Sequence, residues 1–192
     1  MGLLEAFITL FVIMDPIGNI PLFVSMIKGM PQKDVRSNVN RSVFVAGVLL
    51  FVFLFFGIQI FELFSININS FQIAGGIILL ILGIIHVLGT QHKFVKSDSS
   101  DLSVPIGTPL LTGPGVIATI IILVNEFGIF IAVAAAIMTL LATWLILANS
   151  SRLYKFLGAH WTNIISRVMG IIIAAIAVEF ITKGILSMMQ NY

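Results

Sequence analysis

Cysteine is absent from this chain, which excludes disulfide bridges and thiolate metal sites. Charge is nearly as scarce: Asp, Glu, Lys and Arg make up 9% of the residues, against roughly 25% in a soluble domain. The three histidines lack the clustered spacing of a metal site, so neither metal nor cofactor is expected. Alternating ten-residue strands are missing as well; the run that starts at Gly75 is continuously apolar, which argues against a β-barrel. No intramembrane serine stands beside a His or Lys that would activate it, so the chain is not expected to be an enzyme. Nothing in the composition calls for a nucleic-acid partner. Proline is limited to six residues, and five of them fall in two otherwise apolar segments.

What is there instead is hydrocarbon. Hydrophobic residues make up 59% of the chain and the mean hydropathy is +1.14, which marks an all-α polytopic protein whose main partner is the lipid bilayer. A helical span needs about 20 apolar residues, and six stretches qualify: Leu3 to Ile27, Val43 to Phe64, Phe71 to Leu88, Val104 to Val124, Phe127 to Leu147 and Ile164 to Leu186. They use nearly the whole chain, so a single transmembrane domain, 1–192, is expected. Lys28, Lys33, Arg36 and Arg41 lie between spans one and two, Lys93 and Lys96 between three and four, and Arg152, Lys155 and Arg167 flank the connection between five and six. The two other connections contain no Lys or Arg. The positive-inside rule therefore predicts a multi-pass protein of the inner (plasma) membrane with both termini outside. The first apolar stretch lacks a basic leader and a small-residue cleavage site, and reads as a retained span rather than a signal peptide.

The prolines interrupt spans one and four at Met14-Asp15-Pro16-Ile17-Gly18-Asn19-Ile20-Pro21 and at Pro105-Ile106-Gly107-Thr108-Pro109-Leu110-Leu111-Thr112-Gly113-Pro114-Gly115. Proline inside a helix costs ~3 kcal/mol and frees carbonyls that lipid cannot satisfy, so such breaks persist only where protein or a wet cavity receives them. Pro16 and Pro21 are five apart, as are Pro109 and Pro114, and Gly75-Gly76 falls at nearly the same offset from Met169-Gly170. The chain thus reads as two inverted three-helix repeats, 1–90 and 104–192, joined by a cytoplasmic linker, 91–103. Paired interruptions in two halves point to the substrate site of a transporter.

Asp15-Pro16 and Thr108-Pro109 each read as an N-cap followed by proline at the first helical position. Asn19 to Pro21 and Gly113-Pro114 offer a second restart, and the sequence leaves the choice open. Asp15 lies roughly 18 Å along the helix from Leu3, close to the bilayer centre. Half-helix N-termini, each worth about +0.5 charge, would converge there with half-helix C-termini of opposite sign. Such a site suits a small zwitterion. The expected substrate-binding residues are Asp15, Pro16, Ile17, Gly18, Asn19, Pro21, Thr108, Pro109, Leu111, Thr112, Gly113, Pro114 and Gly115. Asp15 and Glu179 are the candidates for carrying a coupling proton, although Glu179 and Lys183 are also spaced as a helical ion pair. His86 reads as an interfacial residue at the cytoplasmic end of span three.

Asp15-Pro16-Ile17-Gly18-Asn19-Ile20-Pro21-Leu22-Phe23 and Pro109-Leu110-Leu111-Thr112-Gly113-Pro114-Gly115 resemble the two signature motifs of the MarC family of membrane proteins. Ala74-Gly75-Gly76 and Arg167-Val168-Met169-Gly170 extend the similarity over the whole chain. The resemblance implies a six-span transporter with inverted repeats, carrying small neutral amino acids such as glycine and alanine. Where the family's pattern has glutamine in span six, this chain has Glu179. Efflux of another small polar or amphipathic solute is the alternative; an intramembrane enzyme or a passive channel ranks below it. Oligomeric state, direction of transport and coupling ion are not written in the sequence.

Overall fold

The computed structural model describes residues 2–20, 23–24, 27, 30–89 and 111–190, with the side chains of all of them but Gln32 and Ala159. The described residues form six helices and no strand: α1 Gly2–Met14, α2 Gln32–Leu63, α3 Ile68–Leu88, α4 Pro114–Phe127, α5 Ile129–Ala148 and α6 Ser150–Gln190. Four of them, α2, α3, α5 and α6, contain stretches long and apolar enough to cross a membrane by length and composition, and α1 and α4 are shorter apolar helices. Each of the six stretches expected from hydropathy thus contains a helix.

Local signals account for the ends. Asn67 caps α3 by accepting the Asn69 amide at 2.8 Å, and α3 stops at Gly89, whose φ of 67° is the left-handed conformation that glycine adopts without penalty. Gly158 bends α6 with φ 74° and ψ 163°, an extended positive-φ conformation open essentially to glycine alone. The residues before this bend form a separate helical arm, 150–157. Hydropathy understates two helices. At 32 residues, α2 runs ~48 Å, so its polar first turns reach beyond a hydrocarbon core of about 30 Å. The bases Lys33, Arg36 and Arg41 therefore sit on helix rather than in a loop.

Packing follows side-chain size. Glycines bring α3 and α6 together backbone to backbone, antiparallel: a Cβ on Gly76 would stand 2.8 Å from the Ala177 carbonyl oxygen, and one on Gly170 2.8 Å from that of Gly83. Gly184 meets Asn69 and Ile73 in the same manner. Close approach through small residues is how helices associate where lipid removes the hydrophobic drive between them. The centre of the bundle is α4, in which Val116, Ala118, Thr119 and every residue from Ile120 to Leu123 are buried. It touches α1, α2, α3 and α5, and a helix apolar all round is one that belongs inside. On the outside, Phe44, Val48, Val52, Phe55 and Phe56 of α2 and Ile77, Ile81 and Ile84 of α3 stand exposed. A continuous apolar coat of that kind is the surface a bilayer requires.

Candidate functional site

The first break is built around Asp15. The α1 helix ends at Met14, and Asp15 takes φ 41°, a left-handed conformation that aspartate tolerates better than most residues. Its carboxylate then turns back on the chain: Oδ1 accepts the Gly18 amide at 2.9 Å, three residues on, as an N-cap does. Asn19 secures the other side, donating its side-chain amide to the Met14 carbonyl at 3.3 Å. A single turn closes first, Asn19 N to Asp15 O at 3.2 Å, and helical bonding continues with Phe23 N to Asn19 O at 2.9 Å. The first restart the sequence allowed thus forms as a capped turn at Asp15, and helix continues from the second, Asn19-Ile20. Gly18 has no spare room, because a Cβ there would run into the Asp15 carboxyl group, with its carbon only 2.7 Å away.

The second break ends in the same way. Gly113 is the N-cap of α4 and Pro114 its first residue, and helical bonding begins with Ile117 N to Gly113 O at 3.1 Å. The described restart here is the second of the two, and the first, Thr108-Pro109, falls outside the described residues. Leu111 and Thr112 are buried, and the Thr112 hydroxyl donates to the Ala46 carbonyl of α2 at 3.1 Å, which anchors this break to a neighbouring helix. Gly115 packs on α3, where a Cβ would meet Leu79 at 2.6 Å and Leu82 at 3.0 Å. Pro21, Thr108 and Pro109 lie outside the described residues.

His86 is where the structure corrects the sequence reading. Rather than an interfacial side chain, it is largely buried, and its Nε2 stands 3.2 Å from Asp15 Oδ2. Leu79, Leu82 and His86 share one face of α3 at helical spacing, so one face of α3 meets both breaks: Leu79 and Leu82 against Gly115, His86 against Asp15. The other imidazole nitrogen, Nδ1, lies 2.9 Å from the Leu82 carbonyl, an acceptor, which makes Nδ1 the protonated nitrogen and turns Nε2 toward the carboxylate. The 3.2 Å approach is an ion-pair distance without hydrogen-bond alignment, so Asp15 Oδ2 and His86 Nε2 are buried polar atoms with no hydrogen-bond partner among the described residues. Such atoms are rare in a folded protein and cluster where a proton or a ligand is handled. The sequence carried one hint: His86 is the lone ionisable residue of the α3 stretch 68–88.

Glu179 lies elsewhere. It pairs with Lys183 at 3.2 Å, and Lys183 also reaches Glu126 at 3.4 Å. The Glu179 side chain is 61% exposed. Gly170 faces His86 across the helix pair, and nine residues further along α6 put Glu179 roughly 14 Å away along the axis. The site therefore gathers Asp15, Gly18, Asn19, His86 and the start of α4, and leaves Glu179 out.

A family model for "MarC family integral membrane protein" matches residues 2–189. The UPF0056 membrane protein YvbG of Bacillus subtilis is 33% identical over 97% of this chain and 95% of its own length. The UPF0056 membrane protein MJ1677 of Methanocaldococcus jannaschii is 31% identical over 94% of each chain, and the UPF0056 inner membrane protein YhgN of Escherichia coli is 30% identical over 98% of each. No solved structure matches. A match of this extent, on a helical chain broken at the two motifs, makes the protein a member of the MarC family of integral membrane proteins.

Proposed function

We infer that this protein is a secondary transporter of small neutral amino acids, glycine and alanine among them, which works by alternating access and is driven by protons. The substrate would lie between the breaks of spans one and four. The observation that carries this reading is the buried Asp15 carboxylate at the first break, with an unbonded oxygen 3.2 Å from the imidazole of His86. With Nδ1 committed to Leu82, a deprotonated Nε2 and a carboxylate would be two acceptors face to face, so the pair needs one proton between them. A proton bound there and released when the first span shifts is a coupling device. A zwitterion fits the rest: its ammonium on the Asp15 side, its carboxylate on the free amides at the start of α4. The space beside Gly18 is taken by the Asp15 carboxyl group, which favours a small substrate.

Alternating access by inverted repeats draws support from a reciprocity in the packing. Gly76 meets Ala177 and Ile181, while Gly170 meets Gly83 and Val87. Each residue of one set numbers 94 above or below its counterpart in the other. The restarts obey the same offset, since Phe23 bonds Asn19 as Ile117 bonds Gly113. Whole helices follow suit: α1 packs on α5 as α4 packs on α2, and α1 touches α6 as α4 touches α3. An antiparallel pair exchanged in this way has its two-fold axis across the helices, as inverted repeats in a membrane require. The reading places both termini outside and needs no catalytic group.

The test is uptake of labelled glycine and alanine into proteoliposomes. An inward-directed proton gradient should drive accumulation that a protonophore abolishes. Neither accumulation nor counterflow of either amino acid would remove the proposal.

A further inference from the structure

A second polar feature stands apart from the breaks. Between the first turns of α2, the end of α5 and the arm that opens α6 lies a half-open cavity of about 530 Å³, within the size range of small-molecule sites. Arg36, Arg152 and Lys155 line it, and among the described residues no acidic one does. Asn149 and Ser151 add polar groups, and Val35, Leu145 and Ala148 form an apolar wall. Trp144 lines it as well and is held in place by donating its indole N–H to Asn40 at 2.8 Å.

We propose that this cavity binds the phosphate headgroup of an anionic phospholipid. Three cations from two helices around one recess make an anion site. The apolar wall tells which anion. A soluble phosphate has no use for Val35, Leu145 and Ala148, whereas a phospholipid places its phosphate against the cations and its glycerol and first methylenes against that wall. Location agrees, because the cavity sits at the end of the bundle that carries the basic helix ends, beside the exposed lipid-facing Leu145. Basic recesses between membrane helices at the headgroup level are suited to anionic lipids. A lipid held there bridges α2 to α6 and ties the arm at 150–157 to the bundle.

Trp144 supplies the probe. In the full-length Trp161→Phe protein it is the single tryptophan, since the chain has two and Trp161 is 61% exposed. The protein is reconstituted in phosphatidylcholine vesicles that contain either brominated phosphatidylglycerol or brominated phosphatidylcholine at equal mole fraction. Brominated phosphatidylglycerol should quench Trp144 at a severalfold lower mole fraction. Replacing Arg36, Arg152 or Lys155 with Gln, one at a time, should lower that preference about fivefold each, and millimolar inorganic phosphate should leave it unchanged. Equal quenching by the two lipids overturns the proposal, with no basic-residue variant required. Displacement by inorganic phosphate also overturns it, in favour of a soluble anion.

Discussion

Asp15 and His86 lie in the first and third spans, with the whole of the second between them, and only packing reveals them as neighbours. A helix break is legible because proline and glycine act on their own backbone. A partner for the buried carboxylate is not, since it depends on which face of α3 meets the first break, and a lone histidine near a helix end has an interfacial alternative. Asp15→Asn separates charge from geometry: the amide oxygen still accepts the Gly18 amide, and asparagine tolerates the left-handed backbone. Gradient-driven glycine accumulation should fall at least tenfold in that variant while counterflow persists, as measured in proteoliposomes. If accumulation stays at the wild-type level, the proton is carried elsewhere. His86→Gln keeps a donor toward Asp15 but cannot titrate, so the pH dependence of uptake should flatten. An unchanged profile would take His86 out of the coupling. At Gly18 the argument is steric: the added methyl of Gly18→Ala collides with the Asp15 carboxyl group. Uptake should drop by an order of magnitude, whereas a retained rate would mean that the break can widen and that the limit on substrate size lies elsewhere.

At the scale of helices, the count of apolar stretches was legible because lipid demands long runs, and the restarts were narrowed to two options by the proline positions. Backbone bonding gives the first span a turn at Asp15 followed by helix from Asn19, and begins α4 at Gly113. The polar extensions of α2 and α6 escaped the hydropathy reading, since charged residues outside lipid can continue a helix as readily as begin a loop. Repeat glycines showed their register in the sequence, but their role appears only in contact. Gly170 touches backbone, with the Gly83 oxygen at 2.8 Å and the Val87 nitrogen at 2.9 Å from where a methyl would stand; neither can swing aside. Gly47 faces only the end of the Leu140 side chain, at 3.4 Å. Gly170→Ala should therefore destabilise the protein by about 1–3 kcal/mol, the cost of overpacking, and Gly47→Ala should be close to neutral. Thermal unfolding of the two variants in one detergent checks the contrast. Equal midpoints would mean that α3 and α6 do not rely on backbone contact.

The whole molecule poses a different question, because inverted repeats and alternating access both depend on how the bundle sits across the bilayer. Basic residues gather at one end: Lys33 and Arg36 at the start of α2, Arg152 and Lys155 at the start of α6. The opposite end carries the α2–α3 turn and the α4–α5 junction, where Leu63 and Asn125 are exposed and no Lys or Arg lies in either connection. On the proposed reading, an odd number of spans in each half turns the second half over relative to the first, and the ends of the chain fall on the side away from the bases. The natural absence of cysteine makes this directly measurable, since every introduced thiol is the only one present. Lys33→Cys and Lys155→Cys should react with a membrane-impermeant maleimide in everted vesicles and be protected in intact cells. Leu63→Cys and Asn125→Cys should show the reverse. Labelling of Lys33→Cys and Lys155→Cys from opposite faces would mean that the chain crosses the bilayer an odd number of times between them, and would end the six-span inverted arrangement on which alternating access rests.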